Sequence, residues 1–248
     1  MGPPSRHKNH QGQHRLAQSR KHVTTLIRKL SYDKHPRGRA VRQKLDWEGR
    51  VTSIQPRIRL LRSFDQRSHR YLGYVLRVDG VIGAQSGVYS VAVGKGAHAK
   101  HAFQVGDLVR GVCLPVADSR RETAEYYKVS GLKVLERSLV AWSPPPWHGS
   151  PSELETYRTR GHRRLDVRTY KAKCASCVWG CLMPVEIVID QWNPSQVRHR
   201  EETFCYGPKS CPFYRPGSTR KVPGRQGMVW EEEDWVDEEA TAHRGVDD

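Results

Sequence analysis

Apolar and polar residues alternate in five runs between residues 45 and 137, with the period of two that is typical of β-strands. In the run YLGYVLRVD, for example, Leu72, Tyr74 and Leu76 alternate with Val75 and Arg77. The other runs are RVTSIQPRIRLL, GVYSVAVG, VGDLVRGVCLPV and EYYKVSGLKVLER. Before the fourth run in chain order lies GKGAHAKHAFQ, which is long enough for a helical turn and too short for a crossover helix. The pattern therefore predicts a mainly β fold.

Three strands, a short helix and two further strands make an order that resembles the OB-fold, a five-stranded Greek-key barrel. The stretch from Phe103 to Gly111, FQVGDLVRG, is similar to the fourth strand of an OB-fold and its approach. This resemblance implies a small OB-like barrel that binds oligonucleotides on its second and third strands and on the loops 1–2 and 4–5. An unrelated small β-barrel is the alternative.

Basic and aromatic side chains on this implied surface are the candidate nucleic-acid contacts. Arginines would contact phosphates, and a tyrosine face would stack on a base. The candidates are Arg57, Arg59, Arg62, Arg67, Arg70, Tyr71, Arg77, Arg120 and Arg121. The alternative interpretation is that these arginines form an ordinary solvated exterior.

Cysteines are clustered in the second half of the chain. Five of the six lie within 38 residues, namely Cys174, Cys177, Cys181, Cys205 and Cys211. Between them, PVEIVID and VRHREETF are strand-like and QWNPSQ is a turn sequence, so a hairpin should bring the two groups of cysteines together. This arrangement resembles a zinc ribbon and implies a structural zinc ion held by four thiolates, with the five clustered cysteines as candidate ligands.

The spacing of these cysteines departs from the zinc-ribbon pattern. Five residues separate Cys205 from Cys211, and a fifth cysteine is present. The Cys-x2-Cys-x3-Cys arrangement also resembles iron–sulfur ligation, so a 4Fe–4S cluster is the alternative cofactor. A dithiol pair at Cys174 and Cys177 is a third interpretation. Cys113 lies in a strand-like run and is interpreted as a core residue.

Charge and composition divide the chain further. The net charge is +16, residues 1–44 carry +11 of it, and residues 231–248 carry −8. Within the basic arm, an apolar stripe from Val23 to Leu30 predicts a short amphipathic helix. We expect five segments: a basic arm at 1–44, the barrel at 45–141, a Pro-rich linker at 142–151, a helix and metal-stapled hairpin module at 152–222, and a disordered acidic tail at 223–248.

A basic protein of this kind is expected to bind a polyanion. The interpretation is a non-enzymatic protein that binds single-stranded DNA or RNA through the barrel and the metal module. An iron–sulfur protein or enzyme acting on nucleic acid is one alternative. Another is an adaptor in a ribonucleoprotein, with a protein partner on the N-terminal helix. No phosphate loop, nucleophile elbow or HExxH motif is present. Without a signal peptide or membrane-length apolar run, we expect a cytoplasmic protein and no membrane partner.

Overall fold

The computed structural model describes residues 43–64, 66–139 and 145–247, together with two short strands near the N-terminus. It contains two compact units, residues 1–43 and residues 44–248. In the first unit, strands β1 (Asp33–Lys34) and β2 (Ala40–Val41) pair antiparallel. The predicted helix from Val23 to Leu30 and most of the basic arm lie outside the described residues.

The first half of the second unit has the predicted order of three strands, a short helix and two strands. These elements are β3 (Leu45–Arg62), β4 (Arg67–Ile82), β5 (Gln85–Gly94), α1 (Lys95–His101), β6 (Leu108–Pro115) and β7 (Tyr126–Glu136). β4 pairs with β3 and β5, and β6 pairs with β3 and β7, all antiparallel. A parallel bridge joins β5 to β7. Following the pairings from β3 through β4, β5, β7 and β6 therefore leads back to β3.

Strand β3 is long enough to serve several neighbours. It has 18 residues, and its register with β4 shifts after Val51 and again after Arg57, as at β-bulges. Residues 45–50 pair with β6, and residues 60–62 pair with a strand from the second half of the chain. Gly49 allows β4 to approach closely, because a Cβ there would lie 2.6 Å from the backbone oxygen of Asp79.

The second half of the unit joins the same sheet. Its elements are α2 (Leu154–Arg160), β8 (Arg163–Arg164), α3 (Val167–Thr169), β9 (Gly180–Val188) and β10 (Val197–Cys205). β9 and β10 form the predicted antiparallel hairpin, and β9 pairs in parallel with the end of β3. The segments expected as barrel and cysteine module thus contribute to one eight-stranded sheet. The protein is mainly β.

The acidic C-terminal region is folded, so the prediction of a disordered tail at 223–248 was wrong. Strands β11 (Arg220–Pro223) and β12 (Val229–Glu232) pair, and helix α4 (Asp234–Thr241) follows. Glu232 is 4% exposed and Asp237 is 8% exposed. Their carboxylates contact buried arginines, and this pairing removes the mutual repulsion that would otherwise keep an acidic run extended. In the described part of the chain, no helix has the length and apolar character needed to cross a membrane.

Candidate functional site

Three of the predicted nucleic-acid contacts on β3 and β4 already have carboxylate partners. The Nε atom of Arg57 donates to Glu122 at 2.9 Å. Arg62 is buried and bonds Glu232 at 2.9 Å, and Arg67 bonds the other oxygen of the same carboxylate at 3.1 Å. These three arginines connect elements of the fold.

The loop between β6 and β7 uses its arginines in the same way. Arg120 bonds Asp118 within the loop at 2.9 Å, and Arg121 bonds Glu186 on β9 at 2.8 Å. Arg59 donates to the backbone oxygen of Arg121 at 2.7 Å. The loop is therefore attached to the sheet by the side chains that were expected to contact phosphates.

The three remaining candidates have different surroundings. Tyr71 is partly buried, and burial raises the pKa of its hydroxyl. The guanidinium of Arg158 lies 5.1 Å from the centre of the Tyr71 ring. Arg70 and Arg77 are exposed, and neither has a carboxylate partner among the described residues. These two arginines of the predicted set are exposed and have no ion pair to break within the described residues.

Four of the five clustered cysteines are brought together in one small apolar cluster. Cys174, Cys177 and Cys205 are buried in it, and Cys211 packs against it. Burial, with smaller contributions from Cys205, Cys177 and Cys211, raises the pKa of Cys174 to about 12. All six cysteines of the chain are described, and none forms a disulfide.

The fifth cysteine of the motif is placed elsewhere. Cys181 is 0% exposed in the main core, in phase with Met183 and Val185 along β9. Its thiol donates to the backbone oxygen of Pro56 at 3.4 Å. Cys113 is also buried in the main core, as predicted.

Two features of the cysteine cluster bear on metal binding. Among the residues that the structure describes, no three His, Cys, Asp or Glu side chains already stand in an arrangement that could hold a metal ion. Two groups near Cys205 nevertheless favour its thiolate form. The backbone N–H of Gly207 donates to its sulfur at 3.4 Å, and the guanidinium of Arg163 lies close by. Burial raises the pKa of Cys205, and these two groups oppose that rise.

Residues 174–179, which we call the cysteine loop, are attached to the sheet by a glutamine from β3. The Nε2 atom of Gln55 donates to the backbone oxygens of Cys174 at 2.8 Å and Cys177 at 2.9 Å. The hydroxyl of Tyr170 donates to the Oε1 atom of Gln55 at 2.7 Å. Gly180 allows the loop to approach this closely, because a Cβ at residue 180 would lie only 2.3 Å from the backbone oxygen of Cys174. Gln55 was not among the predicted site residues; its one signal is a glutamine within a strand-like run.

Docking of the cysteine loop creates a cleft over β3, β4 and β5. The cleft has a volume of about 460 Å³. Val75 and Val88 line it from the strands, and Ala175 and Leu182 line it from the cysteine-containing half. We call it the interface cleft. Arg77 and Lys171 also line it, one from each side, and both are exposed.

Several polar groups that line the interface cleft already have hydrogen-bond partners. Glu125 accepts hydrogen bonds from the backbone N–H of Ser90 at 2.7 Å and from its hydroxyl at 3.0 Å. Gln55 is occupied by the cysteine loop and by Tyr170. No protein-family model matches the chain, and the searches of curated proteins and of solved structures returned no match either.

Proposed function

We propose that this is a non-enzymatic protein that binds single-stranded nucleic acid on an OB-like barrel stabilised by a cysteine-ligated metal. The carrying observation is the pairing cycle of β3, β4, β5, β7 and β6, with the interface cleft over its first three strands. In OB-folds the ligand face is centred on the second and third strands, which correspond here to β4 and β5. Arg77 on β4 supplies to that face a cation that has no ion pair within the described residues.

The metal in this proposal is a structural zinc ion held by Cys174, Cys177, Cys205 and Cys211. The set is supported by their shared cluster and by the thiolate-stabilising groups around Cys205. Four thiolates close the coordination sphere of zinc and leave no position for a reactive water, which agrees with a non-enzymatic role. The unpaired thiols agree with residence in the reducing cytoplasm. A 4Fe–4S cluster on the same four cysteines is the alternative cofactor.

Nucleic-acid binding is tested by comparing a single-stranded oligonucleotide with a duplex of the same length at about 150 mM salt. A cleft that receives unstacked bases predicts tighter binding of the single strand. A merely basic surface predicts equal or better binding of the more densely charged duplex. Equal or reversed affinity contradicts the proposed function.

Metal binding is tested by elemental analysis of protein purified without oxygen. Cys177→Ser should lose the metal, whereas the matched variant Cys181→Ser should keep it, because Cys181 lies in the main core. Zinc predicts a colourless protein, and an iron–sulfur cluster predicts a brown one that absorbs at about 400 nm. Full metal content in Cys177→Ser contradicts the ligand set.

A further inference from the structure

We propose that the interface cleft receives one unpaired base of a single-stranded nucleic acid, whose flanking phosphates contact Arg77 and Lys171. This inference rests on the proposed function and adds the position and the kind of contact. It also makes the binding site composite, because the walls come from both halves of residues 44–248.

The shape of the cleft suits a flat ligand. Val75 and Val88 line the cleft from the strands, and Ala175 and Leu182 line it from the cysteine-containing half, so apolar walls come from two separate parts of the chain. A nucleobase has two apolar faces, and packing against both removes more surface from water than stacking on an exposed sheet. The strand face alone would offer only one wall.

Several polar groups that line the cleft are not free to read base identity. Both amide hydrogens of Gln55 are used by backbone oxygens of the cysteine loop, and its Oε1 atom accepts from Tyr170. Ser90 and Glu125 bond each other. A base held by its faces, with few hydrogen bonds to its edge, is recognised by shape more than by sequence. We therefore infer binding with weak base preference.

Charge at the cleft favours an anionic backbone on both sides of the base. Arg77 on β4 and Lys171 beside the cysteine loop are exposed, and no ion pair of either is found in the part of the chain that the structure describes. Glu125 is the acidic residue of the lining, and its carboxylate is engaged by Ser90. A base inserted into the cleft brings one phosphate before it and one after it along the strand, and Arg77 and Lys171 supply two cations to the same cleft.

The test fills the cleft without changing its charge. Val88 is 52% exposed, so Val88→Trp should fold and occupy the space between the walls. Val81→Trp is the matched control, because Val81 is 45% exposed on β4 and does not line the cleft. Each protein is titrated with a thymidine oligomer of about 12 nucleotides and with an abasic oligomer of equal length and charge.

The wild-type protein and Val81→Trp should bind the thymidine oligomer about tenfold or more tightly than the abasic one. Val88→Trp should reduce this ratio about tenfold, while its affinity for the abasic oligomer stays the same. Thr123→Trp fills the cleft from the loop before β7 and should behave like Val88→Trp if the latter folds poorly. The double variant Arg77→Ala, Lys171→Ala should weaken both oligomers by the same factor.

The outcomes separate the two proposals. If the wild-type protein prefers single strands but both filling variants keep the wild-type ratio, the base does not enter this cleft and the proposed function remains. If the wild-type protein binds duplex and single strand equally and does not distinguish the two oligomers, both proposals are wrong. If the ratio of thymidine-oligomer to abasic-oligomer affinity falls in Val88→Trp and Thr123→Trp but not in Val81→Trp, the base pocket is supported.

Discussion

Two groups of basic side chains in this protein have opposite surroundings. One group, which includes Arg57, Arg62 and Arg164, is buried or partly buried against carboxylates. The other consists of Arg77 and Lys171 at the interface cleft, which are exposed and lack such partners within the described residues. The comparison shows that a net charge of +16 does not measure the charge available to a ligand. The first group joins elements of the fold to each other, and the second is accessible to a ligand.

The largest effect is expected where a buried arginine loses its partner. The Nε atom of Arg164 bonds Asp237 at 2.9 Å, and the Arg164 backbone N–H bonds the same oxygen at 2.9 Å. Asp237→Ala should lower the free energy of unfolding by about 3–5 kcal/mol, because it leaves a buried guanidinium without this carboxylate. Denaturant unfolding measures the change.

Asp234→Ala is the matched control for that variant. Asp234 contacts the same guanidinium, but its side chain is 79% exposed. Its loss should cost less than about 1 kcal/mol, because water replaces an exposed partner at little cost. Equal effects of the two variants would show that burial does not set the importance of these pairs.

Acid should destabilise the protein through His69, which lies near Arg62 and Arg67. Burial, together with the positive charges of Arg67 and Arg62, lowers the pKa of His69 to about 4. Because the folded-state pKa lies below the unfolded value of 6.5, the associated stability is fully present above pH 6.5 and is lost as the pH falls to 4. The loss amounts to about 3 kcal/mol at most.

His69→Phe tests this assignment. Unfolding free energies measured from pH 7 to pH 4 should fall less steeply for His69→Phe than for the wild-type protein. The adjacent His162, whose ring centre lies 4.7 Å from that of His69, will retain part of the slope, because burial also lowers its pKa. If unfolding free energy falls with pH equally in both proteins, His69 does not contribute to acid destabilisation.

A smaller effect is expected for the carboxylate that bridges Arg62 and Arg67. Burial by itself would raise the pKa of Glu232, but Arg62 and the neighbouring arginines lower it below its ordinary 4.5. The stability it contributes is therefore present above pH 4.5 and lost as the pH falls through the folded-state pKa. Glu232→Gln should cost about 2 kcal/mol at pH 7. The difference from the wild-type protein should shrink as the pH falls through the folded-state pKa, because the Glu232 side chain then becomes neutral like glutamine.

The smallest change in stability is expected at the interface cleft. The double variant Arg77→Ala, Lys171→Ala should change the unfolding free energy by less than about 0.5 kcal/mol per site. It should make the log–log salt dependence of single-strand binding shallower by about 1.4, which corresponds to two phosphates. The matched variant Arg57→Ala should leave that slope unchanged and lower stability. The reverse result would mean that the two groups were assigned the wrong way round.

The strands were predictable because their signal is local. Alternation along each run gave five strands and one short helix in the correct order. Cys181 could have been separated from the other cysteines by the same rule, because it is in phase with the buried residues Met183, Val185 and Ile187 of β9. The spacing of the cysteines had instead suggested a single motif of five.

The pairing of charges was not predictable, because it is non-local. Considered alone, the run EEEDWVDEE contains only like charges that repel each other. Its partners Arg62 and Arg164 lie far away in sequence. The interface cleft was missed for the same reason. Gln55, Tyr170 and Lys171 meet only after the cysteine loop docks on β3.

The parallel pairing of β3 with β9 has a consequence for how the chain folds and how it can be dissected. Leu60 pairs with Val185, so this part of the sheet closes only after a very long loop has been brought together. Such closure is slow, and until it occurs the end of β3 presents an unpaired edge. A fragment ending near residue 141 would keep that edge permanently and should aggregate. During synthesis, the same edge would stay open until β9 leaves the ribosome, a period in which a chaperone would be expected to bind it.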